Sequence, residues 1–314
     1  MKIYMAPLEG ITIYTYRNAF REFFTGIDTY FTPFIAAEGS LKMKTREKKD
    51  ILPENNENIH LIPQIISNNA DNFIRFAKLI SERGYDEINI NLGCPSGTVV
   101  AKHKGAGFLG EPKLLDEFLY AVFSALPDMK ISIKTRLGMT DEDEIYEILD
   151  IYNKYPLSEL IVHPRIRSDY YSGSPRMDKF TYIYENASCP LCYNGDIRTF
   201  ADYEKIEERY PKLSAVMLGR GLIRNPALPE AIVKRRELLP DRDSLRSYHD
   251  KLYSEYKQSM PNEKVLIFKL KEVWAYMLDL FDDDGTYLRL FKQSDTLSQY
   301  NVFVNRIFRE CSFR

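Results

Sequence analysis

The chain has 314 residues, 44% of them hydrophobic and 28% charged, and a formal net charge of -2. This composition suits a globular protein with a large core and argues against a highly basic nucleic-acid binder, so an RNA partner would need local patches. Four cysteines are too few for a disulfide framework, and no apolar run resembles a leader or a membrane span. We therefore expect a cytoplasmic protein without membrane contact, and a monomer by default.

Short apolar strands alternate with amphipathic helices over roughly the first 236 residues. We predict strands near 2–7, 29–36, 59–67, 85–93, 130–137, 159–164, 189–194 and 215–219. Helices are predicted near 14–24, 70–83, 113–126, 143–154, 178–186, 199–210 and 225–237, with a poorly defined one around 39–51. Eight parallel strands with crossover helices predict an α/β fold, a (β/α)8 TIM barrel.

The pattern changes after a polar link at 239–243. From there on only helices are predicted, near 245–259, 263–280, 286–292 and 296–310. We therefore predict two domains, a catalytic barrel over 1–238 and a small all-helical domain over 243–314.

The fourth predicted strand leads into Asn91-Leu92-Gly93-Cys94-Pro95. A thiol fixed between glycine and proline at a strand end is placed to meet a ligand. Its unperturbed pKa of about 8.5 leaves it mostly protonated at neutral pH, so it can act as an acid. A lone cysteine is ordinarily a small buried core residue. Here the flanking Gly93 and Pro95 favour a functional role for Cys94 instead.

Other predicted strands also end in polar residues, and active sites of TIM barrels lie at those ends. On strand five, Lys134 and Arg136 share one face, and two cations at a barrel mouth predict an anion. The last three strands end in His163-Pro164-Arg165, Asn194-Gly195-Asp196 and Gly219-Arg220-Gly221. Because loops after strands seven and eight often hold a phosphate, we predict a phosphorylated cofactor.

Together these segments resemble the tRNA-dihydrouridine synthases. The matching motifs are Met5-Ala6-Pro7-Leu8-Glu9-Gly10, Asn91-Leu92-Gly93-Cys94-Pro95-Ser96, Gly105-Ala106-Gly107, Lys134-Thr135-Arg136-Leu137-Gly138, His163-Pro164-Arg165, Asn194-Gly195-Asp196 and Gly219-Arg220-Gly221. The resemblance implies an FMN-bearing barrel that uses NADPH to reduce the 5,6 double bond of chosen uridines in tRNA. It also implies that the helical domain helps to bind the RNA.

The resemblance further implies roles for individual residues. The implied cofactor-binding residues are Pro7, Leu8, Glu9, Gln64, Lys134, His163, Asn194, Gly195, Asp196, Gly219 and Arg220. The implied substrate-binding residues are Asn91, Tyr171 and Arg165, with Lys269 and Lys271 directed at tRNA phosphates. Cys94 matches the residue that donates a proton to C5 of uracil after flavin N5 has transferred a hydride to C6. We expect Trp274 to be a packing residue.

Two further interpretations concern the rest of the chain. The basic segment at 102–104 predicts a mobile loop that closes on substrate. Cys189 and Cys192 are three apart in a strand and point to opposite faces, so we expect core residues and no metal site.

Two other functions stay open, a dihydroorotate-dehydrogenase-like oxidoreductase acting on a free pyrimidine and a catalytically silent RNA-binding barrel. The dihydroorotate-dehydrogenase-like enzyme would not need the helical domain, so that domain distinguishes it from an RNA-binding protein.

Overall fold

The computed structural model describes residues 1–40, 42–260, 262–283 and 285–314. Its strands are β1 (Lys2–Met5), β2 (Thr29–Phe31), β3 (Ile35–Ala36), β4 (Leu61–Ile62), β5 (Gln64–Ile66), β6 (Glu87–Leu92), β7 (Lys130–Gly138), β8 (Glu159–Ile166), β9 (Leu191–Tyr193) and β10 (Ala215–Leu218). Its α-helices are α1 (Tyr14–Phe23), α2 (Thr45–Asp50), α3 (Ala70–Ser81), α4 (Gly97–Val100), α5 (Pro112–Ala125), α6 (Glu144–Tyr152), α7 (Met177–Asn186), α8 (Phe200–Arg209), α9 (Arg220–Arg224), α10 (Leu228–Val233), α11 (Arg242–Ser259), α12 (Glu263–Met277), α13 (Thr286–Gln293) and α14 (Leu297–Glu310).

The strands form one parallel sheet in the order β3-β5-β6-β7-β8-β9-β10-β1-β2-β4. Two predicted strands are each broken in two, the second into β2 and β3 and the third into β4 and β5. Pro63, which has no N–H to donate, separates β4 from β5, and the next N–H, that of Gln64, donates to the Thr32 hydroxyl at 3.0 Å. Because β2 pairs with β4 and β3 with β5, joining the halves closes an eight-stranded barrel. The predicted TIM-barrel fold is confirmed.

The chain divides into two compact units. Unit 1 contains 1–7, 28–196 and 206–218 and therefore holds all the strands just described. Its interior includes an apolar cluster of Tyr4, Ala6, Phe31, Ile62, Ile161, Cys192, Ala215 and Met217. Cys192 is thus a core residue, whereas Cys189 lies half-buried before β9.

Unit 2 contains 8–27, 197–205 and 219–314, so α1 belongs with the C-terminal helices. The Tyr248 ring of α11 packs edge-on against Tyr16 of α1 and against Phe24, with ring centroids 6.2 and 5.3 Å apart. Trp274 of α12 is fully buried and stacks on Phe291 at 5.2 Å, which confirms its packing role. The predicted helical C-terminal region is present, while its boundary at 238–243 stays a prediction.

Of the helix predicted over 225–237, only the segment of α10 is helical, and a separate short helix, α9, precedes it. Asn225 separates them in an extended conformation, as expected for a residue that precedes a proline, here Pro226. The Asn225 side chain accepts a hydrogen bond from the N–H of Ala227 at 3.0 Å and fixes the turn. Among the described helices, none is long and apolar enough to cross a membrane.

Candidate active site

A polar half of the barrel interior lies on β5 to β8. Partners in register on neighbouring parallel strands face the same side of the sheet. The pairs are Gln64 with Asn89, Asn89 with Ser132, Asn91 with Lys134, and Arg136 with His163. The side chains from four strands therefore converge toward the carboxyl end of the barrel.

A directed chain of hydrogen bonds joins the amides of this group. The Asn91 amide donates to the Gln64 carbonyl oxygen at 2.7 Å, the Gln64 amide donates to Asn89 at 2.7 Å, and Asn89 donates to the Ser132 hydroxyl at 2.9 Å. Gln64 and Asn89 are completely buried. With every Asn and Gln bonded to the next, their orientations are mutually fixed.

Asn91 also orders the loop that contains Cys94. Its side-chain oxygen accepts hydrogen bonds from the backbone N–H groups of Gly93 and Cys94, at 3.1 and 3.0 Å. The Cys94 carbonyl accepts from the N–H of Ala106 at 3.0 Å. Gly105 has φ +57°, and a β-carbon there would lie 2.9 Å from the Cys94 carbonyl oxygen, so the turn requires glycine. The half-buried thiol is therefore fixed from both sides of its loop.

Lys134 is the cation beside this loop. No hydrogen-bond partner of its half-buried ammonium lies within the part of the chain that the structure describes. Burial, and next the positive charge of Arg136, lower the pKa of Lys134 to about 8. An ammonium with unused donors, in a recess that already destabilises its charge, fits an anionic or acceptor-rich ligand.

Arg136 instead binds the protein itself. Its guanidinium donates to the carbonyls of Gly93, Ile166 and Tyr170, at 3.0, 2.9 and 2.7 Å. Because its donors are held by main-chain oxygens, Arg136 joins the Cys94 loop to the loop after β8, which differs from the predicted contact with an anion. Tyr170 has φ +51°, a conformation that this carbonyl contact stabilises.

Tyr171 is presented by the same loop. It is exposed, and its ring lies 28° from parallel with that of His163, at a centroid distance of 6.1 Å. The guanidinium carbon of Arg136 lies 5.4 Å from the Tyr171 ring centroid, a cation–π distance. An accessible aromatic face is thus held above the polar interior.

Arg165 is a second fully buried arginine bound to this loop. It donates to the carbonyls of Ser172 and Gly173, at 3.1 and 2.5 Å, and forms a bidentate pair with Asp196 at 3.2 and 2.7 Å. It also contacts His163, Nη1 to Nε2, at 3.0 Å. The structure therefore places Arg165 behind the exposed surface, with its donors bound to protein groups.

The family model described as dihydrouridine synthase matches residues 4–309, nearly the whole chain. The chain belongs to the dihydrouridine synthase family. A tRNA-dihydrouridine(16) synthase of Vibrio vulnificus is 25% identical over 98% of this chain and 96% of its own length. A tRNA-dihydrouridine synthase B of Pasteurella multocida is 28% identical over 78% of this chain and 71% of its own length.

Solved structures show the same fold at low identity. A variant of NCR from Zymomonas mobilis superposes with a TM-score of 0.54 at 14% identity, covering 80% of this chain and 94% of that one. A morphinone reductase in complex with tetrahydroNAD gives 0.51 at 13% identity, covering 80% and 93%. The family assignment makes the chain an oxidoreductase, and the structural likeness confirms the barrel.

The other predicted cofactor residues follow β1, β9 and β10. Pro7 lies in unit 1 with Asn194, Gly195 and Asp196, whereas Leu8, Glu9, Gly219 and Arg220 lie in unit 2. The Asn194 amide donates to the Met217 carbonyl at 2.8 Å, so its side chain fixes the strand end. A β-carbon at Gly195 would lie 2.0 Å from the Tyr193 hydroxyl oxygen, so packing alone already requires glycine there. Their role in phosphate binding stays a prediction.

The two lysines predicted to contact tRNA have different surroundings within unit 2. A β-carbon added to Gly10 would lie 2.5 Å from the Lys269 ammonium, which also pairs with Glu272 at 2.6 Å. Lys269 therefore lies over the loop after β1. The Lys271 ammonium donates to the carbonyls of Lys292 and Ser294, at 3.0 and 2.6 Å, at the C-terminal end of α13.

The basic segment after Cys94 also has partners. Lys102 and Lys104 pair with Glu38 at 3.7 and 3.9 Å, and His103 contacts Glu111. Its closing motion stays a prediction. In the described part of the chain, no group of three or more His, Cys, Asp and Glu residues could hold a metal.

Three residues order this site in ways that the sequence did not predict. Asn89 is two positions before Asn91 and shares its face, so the two-residue strand period could have found it. Arg136 and Arg165 were assigned to ligands, because no sequence signal shows that their partners are main-chain carbonyls of a loop.

Proposed function

We propose that this member of the family is an FMN-dependent tRNA-dihydrouridine synthase that uses NADPH to reduce the 5,6 double bond of a uridine in tRNA. The observation that carries the proposal is the Lys134 ammonium, which has no hydrogen-bond partner among the described residues and is in register with Asn91, whose side chain holds the backbone of Cys94. A cation and a fixed thiol are thus brought to one end of the barrel.

The donor set fits a flavin. Lys134 would hold an electron-rich edge of the ring system. Gln64 is completely buried and holds the Asn91 amide in place, and it remains a predicted cofactor residue. His163 would contact the cofactor from β8, and Pro7, Leu8 and Glu9 would lie around it. The peptide groups of Asn194, Gly195, Asp196, Gly219 and Arg220 remain the proposed phosphate contacts. When bound, FMN supplies the hydride that uracil C6 accepts.

Cys94 supplies the proton. Reduction at C6 leaves negative charge on the uracil, and the thiol donates its proton to C5, so that the S–H bond breaks as the C5–H bond forms. Asn91 fixes the Cys94 backbone, so the thiol approaches from a set direction. Tyr171 offers an exposed ring on which a base taken out of the tRNA stack can rest, which suits single-stranded RNA recognition.

Two kinds of observation support tRNA over a free pyrimidine. The relatives just described are named as tRNA-dihydrouridine synthases, and the family match extends through the helical region to residue 309. A dihydroorotate-dehydrogenase-like enzyme would not need these helices. A monomeric state and a cytoplasmic location stay predictions.

The proposal is tested by half-reactions of the purified protein. We expect yellow protein that releases FMN on denaturation and is bleached by NADPH. Reduced enzyme should be reoxidised by tRNA from cells that lack this protein, but not by free uridine or orotate. Mapping dihydrouridine in that tRNA identifies the position. Colourless protein that fails to take up FMN, or reoxidation by a free pyrimidine alone, would contradict the proposal.

Cys94→Ala isolates the proton step. The variant should keep FMN and its reduction by NADPH, because the thiol takes part in neither. Its reoxidation by tRNA should slow by about a hundred- to ten-thousand-fold, the usual contribution of a general acid. Cys94→Ser should be nearly as slow, since a hydroxyl is a much weaker acid. Normal reoxidation by Cys94→Ala would make Cys94 a packing residue.

A further inference from the structure

The contact between Arg165 and His163 determines where the imidazole carries its proton. Nη1 of Arg165 lies 3.0 Å from Nε2 of His163. A guanidinium has donors only and is never deprotonated in proteins, so Nε2 must accept. The ring is therefore neutral, with its proton on Nδ1.

Arg165 cannot turn away from this contact. Its side chain is completely buried, and its remaining donors are bound by Ser172, Gly173 and Asp196. The Asp196 carboxylate compensates the buried positive charge, and breaking such a pair in the interior is costly. The donor that faces Nε2 is therefore held in place from three directions.

The other neighbours of His163 agree with a neutral ring. The charged and titratable groups around it include Arg136 opposite it in register on β7, Arg165 on its own strand, Tyr171 stacked on it, and Asp196, which is bound to Arg165. An imidazolium would direct an Nε2–H at an arginine N–H, and two cations would adjoin it. Tyr171 limits rotation of the ring plane.

We propose that Arg165 is a positioning residue that holds His163 as the neutral Nδ1–H tautomer. Any contact of the His163 ring with the cofactor is then made by a neutral imidazole whose acceptor nitrogen is already bound by Arg165. This last step rests on the proposed function, since it concerns the flavin. Arg165 thereby acts through His163 and through the loop at 172–173, in contrast to the direct substrate contact that the sequence suggested.

Nitrogen NMR of protein labelled with ¹⁵N-histidine tests the tautomer directly. The chain has four histidines, so His163→Gln assigns the signal. From pH 5.5 to 8, we expect His163 of the wild type to show a protonated Nδ1 and an unprotonated Nε2. In Arg165→Met, the fixed tautomer should be lost, because no donor then holds Nε2 as an acceptor. Arg165→Lys keeps a cationic donor and should retain Nδ1–H.

Arg167→Met is the matched control. Arg167 lies two residues further along and contacts the Tyr170 hydroxyl at 3.1 Å, away from His163, so its loss should leave the tautomer unchanged. FMN affinity should fall about ten-fold in Arg165→Met, the usual weight of one hydrogen bond, and stay unchanged in the control.

The positioning role of Arg165 is overturned if His163 of the wild type is an Nε2–H tautomer or an imidazolium at pH 7. It is also overturned if the tautomer is unchanged in Arg165→Met. Should Arg165→Met not fold, the wild type and Arg165→Lys still decide. If the tautomer is as stated but no flavin binds, the proposed function fails and the positioning role stands.

Discussion

Lys134 is a residue whose charge changes close to physiological pH. Because burial lowers its pKa to about 8, the cofactor-free protein loses this positive charge as pH rises through that value. We expect FMN affinity to fall above pH 8. Lys134→Arg should remove the fall, since a guanidinium stays charged, while Lys134→Met should bind FMN about ten- to a hundred-fold more weakly than wild type at pH 6.5 and show no such fall of its own.

The measurement is a fluorescence titration of FMN at pH 6.5, 8 and 9.5. Circular dichroism of the variants controls for folding. The role of Lys134 would be refuted by equal affinities in wild type and Lys134→Met at pH 6.5.

Glu159 is buried at the start of β8, at the opposite end of that strand from Arg165. Its carboxylate accepts hydrogen bonds from Ser214 at 2.6 Å and Tyr4 at 3.3 Å, yet burial raises its pKa to about 7. The folded state therefore binds this proton more tightly than the unfolded state. The contribution of Glu159 to stability is greatest below about pH 4.5, declines up to pH 7 and is then constant.

We predict that wild type loses up to about 3 kcal/mol of unfolding free energy from this group between pH 4.5 and 7.5. Urea denaturation of wild type and Glu159→Gln at several pH values gives the difference, because other groups titrate alike in both. Glu147→Gln, at an exposed position on α6, is the control and should follow wild type. Parallel curves for Glu159→Gln and wild type would show that Glu159 does not titrate in this range.

Two lysines on α12 allow a prediction at the scale of one helix. Lys269 lies over the loop after β1, whereas Lys271 binds the carbonyls of Lys292 and Ser294. We expect Lys269→Gln to weaken tRNA binding and to lower the dependence of log Kd on log salt by about one. Lys271→Gln should instead lower stability by about 1 kcal/mol with tRNA affinity nearly unchanged.

Filter binding at four salt concentrations, together with thermal unfolding, separates the two effects. Equal losses of affinity would mean that both lysines contact phosphate, as the sequence suggested. Equal losses of stability without any change in affinity would remove α12 from the RNA surface.

The elements themselves were largely predictable, because period-two and period-3.6 patterns reflect burial along the chain. The breaks within the second and third predicted strands were not predictable from these patterns. The interruption of the third strand depends on Pro63 and on the Thr32 hydroxyl, which lies 31 positions earlier. For the site, the strand ends gave Cys94, Lys134 and His163. The main-chain partners of Arg136 and Arg165 depend on how a loop folds back, and no local pattern encodes that.

At the scale of the whole molecule, α1 and α11 belong to one compact unit. A chain that ends near Arg242 would lose α11 and expose the partner face of α1, including Tyr16 and Phe24. Such a truncation would therefore unfold part of the protein as well as remove RNA contacts, so single substitutions test RNA binding more cleanly.

We predict that Tyr248→Ala in the full chain lowers the unfolding free energy by about 3 kcal/mol, the range found when a large buried ring is truncated. Tyr120→Ala, at a position 70% exposed, should change it by less than about 0.5 kcal/mol. Thermal scans compare the two. Similar small shifts would show that the α1–α11 contact contributes little.

The arginine contacts to the loop after β8 have a consequence for substitutions in that loop. Arg136 and Arg165 bind carbonyls at 166, 170, 172 and 173, atoms that every amino acid carries. The path of the loop is therefore independent of most side chains that it displays. We expect substitutions at the displayed positions, Tyr171 among them, to change the proposed contact with a base while the path of the loop is kept.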